Sequence, residues 1–483
     1  MRSLKPILKS NDLRGAVPGQ WGPEEAWALG RALARALDGA PALLVGHDMR
    51  LSGPKLAAAL TAGAAAEGRD VIQLGEVSTD TMYYASGSMA LPGAMLTASH
   101  NPAGDNGLKL MRPGARPVGR ENGLGEIIAA AERLGPPEGG AWQAPAGPGQ
   151  AGPGRITQKA ILPDFAAFLR RAVDLTQIRP LRVAIDAGNG MGGVVADAAL
   201  GRAAGLEGLP VDIVRLYFEP DGTFPNHPPN PLEPRNLEDL RQAVVACGAD
   251  LGLAFDGDAD RCFAVDEHGQ PVAPSVVGVI IALREVARER AQGRPGVVVR
   301  NAITSQALPE LLGAAGARTV RTRVGHAVVK PAMAELDAVF GAEHSGHFYF
   351  RDFFYADSGI LTAMHLLAAL GSQGLAMSQL AEIHTPYAAS GEVNFKVADP
   401  AHSIQKVQAA YADDAAAGRV ALDSLDGLTV SHWSQAPKWW ANVRPSNTEA
   451  LLRLNVEAED RDVMVKVRDG IAGLVAEPGA VPG

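Results

Sequence analysis

Apolar and polar positions follow two rhythms through the first three quarters of the chain. From Pro23-Glu24-Glu25, the stretch EEAWALGRALARAL repeats apolar residues at helical spacing and predicts a helix. PALLVGHD then runs apolar into a polar end and predicts a short buried strand. KLAAALTAGAAAEG and DVIQLG repeat the helix and the strand. Repeated units of this kind predict a parallel sheet. GPPEGGAWQAPAGPGQAGPGR, residues 135–155, is dense in Gly and Pro and reads as a linker or surface excursion. Beyond it, LRVAIDAGNG and ADLGLAFDGDADR each read as a strand entering a polar loop. A third block, from about Val272 to Leu380, carries GVVVRN, RTVRTRVG and AVFGAEHSG in the same form. The tail differs: strand-like GEVNFKV, helical IQKVQAAYADDAAAG, strand-like LDGLTVSH and LLRLNVEA, then a final helix. The divisions expected are 1–135, a linker at 136–155, 156–265, 266–382 and an α+β domain at 383–483.

Length supports that division, since 483 residues make three or four domains at about 100–200 residues each. Hydrophobic residues are 47% and charged residues 20%, enough to bury a sizeable core. The net charge is −9 with no long basic block, which gives no reason to expect nucleic acid as a partner. Cys247 and Cys262 form no CxxC pair, so neither a zinc cluster nor a disulfide framework is expected. No run of 18 apolar residues exists, so no membrane span is expected. MRSLKPILKSNDLRG lacks the apolar region of a secretory signal, and the expected address is the cytoplasm.

Four polar loops follow strands, and in open α/β sheets ligands gather at the carboxyl ends of strands. Thr97-Ala98-Ser99-His100-Asn101-Pro102 offers a nucleophile or phosphate carrier in Ser99, with Lys109 ten residues on. The same serine also suits an ordinary turn or helix cap. Asp256-Gly257-Asp258-Ala259-Asp260-Arg261 sets three carboxylates at alternating positions, with small residues that allow a tight fold. That suits a hard divalent cation, magnesium before calcium, because few protein ligands leave room for a phosphate oxygen. The loop is not read as an EF-hand, whose sixth-position glycine is Arg261 here. In Gly341-Ala342-Glu343-His344-Ser345-Gly346-His347, Glu343 and Ser345 can face vicinal sugar hydroxyls, or cap a helix. Arg444-Pro445-Ser446-Asn447-Thr448 joins a guanidinium to hydroxyls and an amide, a composition that fits a phosphate dianion. A fifth feature competes. Gly188-Asn189-Gly190-Met191-Gly192-Gly193 matches GxGxxG after a strand, with Asp212 at the distance of a ribose contact. A dinucleotide reading of it leaves the other four loops unexplained.

TASHNP, DGDADR, GAEHSGH and RPSNTE, in this order and spacing, resemble the α-D-phosphohexomutases. DLRG (12–15), GHDMRLS (46–52), DAGNGMG (186–192), DGTFPNHPPNP (221–231), RVGHAVVK (323–330) and GEVNF (391–395) extend the likeness over nearly the whole chain. TASHNP and RPSNTE are most similar to the phosphomannomutase/phosphoglucomutase branch. The resemblance implies three similar α/β domains with mixed sheets plus a C-terminal α+β domain around a central cleft. It implies Ser99 as a phosphoserine, and Mg2+ held by Asp256, Asp258 and Asp260 with the phosphate on Ser99. Arg14, His100, Lys109 and Arg261 match residues around the transferred phosphate. Glu343 and Ser345 match the pair that holds the sugar hydroxyls, Gly325, His326 and His347 match further substrate contacts, and Arg444, Ser446, Asn447 and Thr448 match the clamp on the idle phosphate. The implied activity moves phosphate between C6 and C1 of mannose, and of glucose as well, through a hexose 1,6-bisphosphate. Glucose or glucosamine phosphate as the main substrate, or a non-catalytic sugar-phosphate sensor, are the alternatives. The implied partners are small hexose phosphates, with no nucleic acid, no membrane and no oligomeric state specified. Two positions depart from the family: Asn11 stands where a tyrosine is common, and RNAITS replaces a lysine-bearing segment near Ile303.

Overall fold

The computed structural model describes residues 1–36, 39–136, 153–446 and 451–475. Three successive sheets share one plan. In the first, Asp70–Glu76, Ala42–His47 and Gly93–Leu96 lie parallel, and Asp105–Arg112 returns antiparallel beside the last of them. In the second, Val211–Leu216, Leu181–Asp186 and Leu251–Phe255 are followed by antiparallel Cys262–Val265. In the third, Arg318–Thr322, Val297–Asn301 and Phe340–Ala342 are followed by antiparallel Phe348–Phe350. The sheets are therefore mixed, where the repeated helix–strand rhythm by itself predicts parallel ones. The antiparallel partner in each case follows the third parallel strand through a short turn, too short for a crossover helix.

The fourth sheet is antiparallel throughout, in the order Ala388–Phe395, Leu452–Ala458, Trp439–Pro445, Leu428–Ser431, Ala421–Asp423. Its helices Pro400–Ala410 and Arg461–Val475 pack on one face and complete an α+β unit with its own apolar core. The first three units instead share a continuous buried cluster, which runs from Ala42 through Phe165, Ile185 and Phe255 to Leu380.

One detail of the pairing bears on the division read from the sequence. Ile156–Gln158, placed there at the start of the second unit, pairs in parallel with Asp70–Glu76 and closes the edge of the first sheet. A short strand of this kind is assigned by the edge it satisfies, which local sequence does not specify. The Gly/Pro-rich stretch lies largely outside the described residues.

Helix Pro23–Ala36 and helix Gly53–Ala66 cover one face of the first sheet and approach each other closely through two glycines. A Cβ on Gly30 would lie 2.0 Å from the Leu60 carbonyl oxygen, and one on Gly63 would lie 2.0 Å from that of Trp27. Backbone cannot yield as a side chain can, so the helices would have to separate. Gly30→Val is expected to destabilise the first unit by about 1–3 kcal/mol. Gly313→Ala, at a helical position with open space around it, is expected to be neutral or stabilising by up to about 1 kcal/mol. Urea and thermal unfolding of the two variants beside the parent chain measure both; equal stability of Gly30→Val and parent would refute the close-approach account.

Candidate active site

The loops singled out in the sequence occupy one equivalent place in the four sheets. Each is the turn between neighbouring antiparallel strands, closed by the pairs Leu96–Leu108, Phe255–Cys262, Ala342–Phe348 and Pro445–Leu452. The sheet plan therefore delivers one loop from each unit.

The first two loops meet. Ser99 sits buried, in the left-handed backbone region at φ 50°, and its Oγ donates to Asp256 Oδ2 at 2.8 Å. A non-glycine residue in that conformation carries strain that the surroundings must hold. Here Arg50 holds it: the fully buried guanidinium donates to the carbonyls of Ser99, Asn101, Pro102 and Asp105 at 2.7–2.8 Å. Gly257 lets the acidic loop come this close, because a Cβ there would lie 2.5 Å from the Ser99 carbonyl oxygen. Arg261 donates to Asp256 Oδ2 at 2.8 Å and to His100 Nδ1 at 2.7 Å, and its Nη2 is 3.5 Å from Ser99 Oγ. His100 Nδ1 lies 3.2 Å from that hydroxyl. Arg14 reaches the same loop, donating to Asn101 Oδ1 at 3.2 Å and to the Ala98 carbonyl at 3.4 Å while paired with Asp12.

Lys109 stands apart from the serine. Its ammonium bridges Asp258 Oδ2 at 2.7 Å and Asp260 Oδ2 at 2.6 Å, deep in the protein. Burial works against the lysine charge, but the two aspartates outweigh it and hold its pKa well above the usual value. Burial opposes the Asp258 charge too, and Lys109 and Thr79 outweigh it and hold that carboxyl below its usual range. Asp256 is raised by burial against the pull of Arg261. Burial, aided by the Arg261 and Arg14 charges, pushes the His100 imidazole well below its usual value and keeps it neutral.

The three aspartates bring carboxylate oxygens within 4.8 Å of one another. Among the described residues, Asp258 Oδ1 and Asp260 Oδ1 are buried with no hydrogen-bond partner. Buried carboxylate oxygens without donors are costly. Hard oxygen donors converging beside a serine hydroxyl fit a divalent cation, and magnesium in particular, which binds through a few carboxylates and a phosphate oxygen. A second cluster, Asp260, His347 and Asp357, is also compact enough for a metal. Lys330 answers it instead, pairing with Asp357 at 2.7 Å while Asp357 also bonds His347 Nδ1 at 2.8 Å.

The third loop joins through His347, whose Nδ1 is 3.9 Å from Asp260. Burial lowers its pKa, but Asp260 and Asp357 outweigh that and raise it overall. Glu343 is buried and accepts from Tyr349 Oη at 2.6 Å, from the Gly325 amide at 2.7 Å and from Asn301 Nδ2 at 3.3 Å. Gly325, at φ 123°, thus sits against the carboxylate as well as opening helix His326–Leu336. Ser345 is half-buried in the same turn. The fourth loop approaches from the other side: the buried Arg444 pairs with Glu392 at 3.0 Å and is close enough to His344 and Glu343 for their charges to interact. Ser446 closes the hairpin, its amide bonding the Leu451 carbonyl at 2.8 Å. Asn447 and Thr448 lie outside the described residues, as does the His326 side chain.

The glycines of the competing loop serve packing within the protein. A Cβ on Gly190 would lie 2.6 Å from the Gly257 carbonyl, and one on Gly192 would lie 2.6 Å from Phe255 Cβ, so these glycines let the acidic loop pack down. Asp212 is exposed and paired with Arg182 at 2.9 Å. Ile303, near the expected lysine, is buried beside His344 at the junction of the third and fourth units. Asn11 lies near Gly325, 3.9 Å from where a Cβ there would stand. Arg50, Asn301, Tyr349, Lys330 and Asp357 were not singled out by sequence. Each acts on another residue of the site, and only the segments GHDMRLS, RNAITS and RVGHAVVK hinted at three of them.

Comparisons with known proteins agree with this architecture. Four family descriptions match in order: phosphoglucomutase/phosphomannomutase alpha/beta/alpha domain I over residues 5–134, domain II over 163–269 and domain III over 275–387, and the C-terminal domain over 392–474. A protein of Xanthomonas campestris described as phosphohexose mutases is 36% identical over 467 residues, covering 96% of this chain and 97% of that one. The phosphomannomutase of Escherichia coli K12 is 34% identical over 465 residues, covering 95% and 96%. The crystal structure of a phosphoglucomutase/phosphomannomutase family protein from Burkholderia thailandensis superposes with a TM-score of 0.82 at 28% identity, over the full length of both chains. Matching models over all four units and full-length relatives above 30% identity lead to one assignment: the chain belongs to the phosphoglucomutase/phosphomannomutase family of α-D-phosphohexomutases.

Proposed function

We propose that this chain interconverts mannose 6-phosphate and mannose 1-phosphate, and acts on glucose phosphates too, through a phosphate carried on Ser99. The observation that carries this reading is the Ser99 hydroxyl, 2.8 Å from Asp256 in a loop whose other two aspartates each keep an unpartnered buried oxygen. Relatives named phosphomannomutase support the sugar. An N-acetylphosphoglucosamine mutase of Aspergillus fumigatus, of the same fold at a TM-score of 0.54 and 16% identity (82% of this chain, 92% of that one), is described with GlcNAc-6P and magnesium, which supports the ligand class and the ion.

Asp256, Asp258 and Asp260 would hold Mg2+ together with a phosphate oxygen on Ser99. When bound, the ion neutralises charge on the transferring phosphoryl group. In the first half-reaction the phosphorus–Oγ bond of phospho-Ser99 breaks, and a bond forms to the free hydroxyl oxygen of the hexose phosphate. The hydroxyl proton leaves to a base, and a hexose 1,6-bisphosphate results. The second half-reaction returns the other phosphate to Ser99 after the sugar turns around. Arg261 and Arg14 meet charge spreading over the phosphoryl oxygens. Lys109, fixed as a cation between two aspartates, serves as a neutralising charge rather than as the base. His100 lies 3.2 Å from Ser99 Oγ, but its Nδ1 accepts from Arg261 and its pKa is held well below the usual value, so it is not assigned as the base either. Glu343 and Ser345 grip adjacent sugar hydroxyls in either orientation, with Gly325, His326 and His347 around them. Arg444, Ser446, Asn447 and Thr448 hold the idle phosphate. The ligands are small hexose phosphates, and the expected compartment is the cytoplasm.

Ser99→Ala is expected to abolish the phosphoenzyme seen by mass spectrometry and to remove mutase activity; full turnover without Ser99 rejects the mechanism. Arg444→Ala is expected to raise KM for the hexose phosphate roughly tenfold or more, as befits loss of a charge-assisted clamp, with a smaller change in kcat. An unchanged KM counts against the clamp. Parallel assays with mannose, glucose and glucosamine 1-phosphates are expected to rank mannose first, and a glucosamine preference would overturn the sugar assignment.

A further inference from the structure

Three consecutive carbonyls of the acidic loop are held by the starts of three helices. The Gly257 carbonyl accepts from the Met191 amide at 2.9 Å, that of Asp258 from Thr79 at 3.0 Å, and that of Ala259 from Gly359 at 3.3 Å. Met191 is the cap of helix Gly192–Ala199, Thr79 opens helix Thr79–Met89, and Gly359 opens helix Gly359–Ser372. The three helices belong to the second, first and third units in turn. The first amides of a helix have no partner within it, and here the loop supplies partners while turning its carboxylates toward the cleft. The positive ends of the helix dipoles lower the cost of gathering three carboxylates in one buried turn. The fit is tight at Gly359, where a Cβ would lie 2.6 Å from the Ala259 oxygen and 2.7 Å from that of Arg261. Ala259 is held in the left-handed region at φ 60°.

Side chains register two of these helix starts against each other. Ser78 Oγ caps the first helix, accepting from the Thr81 amide at 3.2 Å, and Ser358 Oγ caps the other, accepting from the Leu361 amide at 3.2 Å. Both hydroxyls donate to one carboxylate, that of Asp80, Ser78 to Oδ1 and Ser358 to Oδ2. All of these side chains are buried. Thr79, between Ser78 and Asp80, donates its own hydroxyl to Asp258 Oδ2 at 2.5 Å. Lys109 occupies that same oxygen at 2.7 Å, so Oδ1 is the atom left for a cation.

We propose that Thr79, backed by the Ser78–Asp80–Ser358 bridge, is a positioning residue of the acidic loop: it fixes which oxygen of Asp258 is presented to the metal. The proposal rests on the metal-binding part of the function above. Partners of metal ligands are worth roughly 10–100-fold in metal affinity, whereas a purely structural contact moves stability alone.

The test is calorimetric titration of Mg2+ into the purified full chain, with thermal unfolding recorded on the same samples. Thr79→Val is expected to weaken Mg2+ binding at least roughly tenfold. Thr79→Ser, which keeps the hydroxyl, is expected to restore most of it, and Ser358→Ala to weaken it by a smaller factor. Unchanged Mg2+ affinity in a folded Thr79→Val chain overturns the proposal, whatever its melting temperature; so does an equal loss in Thr79→Ser, or a parent chain that takes up no Mg2+. If Thr79→Val does not fold, Ser358→Ala decides by the same comparison. The mutase assay on the parent chain is independent. A chain that binds Mg2+ in the expected order of variants but turns over no hexose phosphate rejects the mutase reading and leaves the positioning role standing.

Discussion

Three buried carboxylates in one six-residue turn repel one another, and much of the molecule is arranged to hold them together. Lys109 bridges two of them, Arg261 covers the third, and three helix starts take up the loop's carbonyls. At short range inside a protein such repulsion amounts to several kcal/mol, more than any single surface interaction could offset. The compensating groups come from all of the first three units. The first three units also share one apolar cluster that the fourth does not join.

The fourth unit meets the third through polar contacts. Glu457 accepts from the Gln306 amide at 2.9 Å, Asp426 accepts from the Val324 amide at 2.7 Å, and Glu310 accepts from Trp433 Nε1 at 2.8 Å. Arg321 and Asp423 pair across the same seam. Polar seams cost less to open than a continuous core. Under the proposed reaction, reorientation of a bisphosphate between half-reactions would benefit from this division, with the charged centre fixed and Arg444 on the separately cored unit.

The loops that carry chemistry were legible because each places unusual residue types after an apolar strand. Ser99, the three aspartates, Glu343 and Arg444 all fall where those patterns put them. What escaped notice acts at one remove. Arg50 looks like a surface cation beyond a strand, yet it is fully buried and fastens four carbonyls of the serine loop. Thr79 and Ser358 look like ordinary helix starts. Their partners lie 179 and 278 residues away, and no local pattern encodes such distances. The glycine loop has a spacing that also fits a nucleotide, but its glycines serve a neighbouring backbone.

The sequence by itself determined the alternation of helices and strands, the order of four polar loops and the chemistry each can perform, because those follow from side-chain type and short-range spacing. Only the tertiary structure decided that Ile156–Gln158 closes the first sheet and that Lys109 faces aspartates rather than the serine. Those outcomes depend on which strand edge is left to satisfy and which charges are left to neutralise once separate stretches of chain have packed. Such balances exist between distant residues and in no single segment.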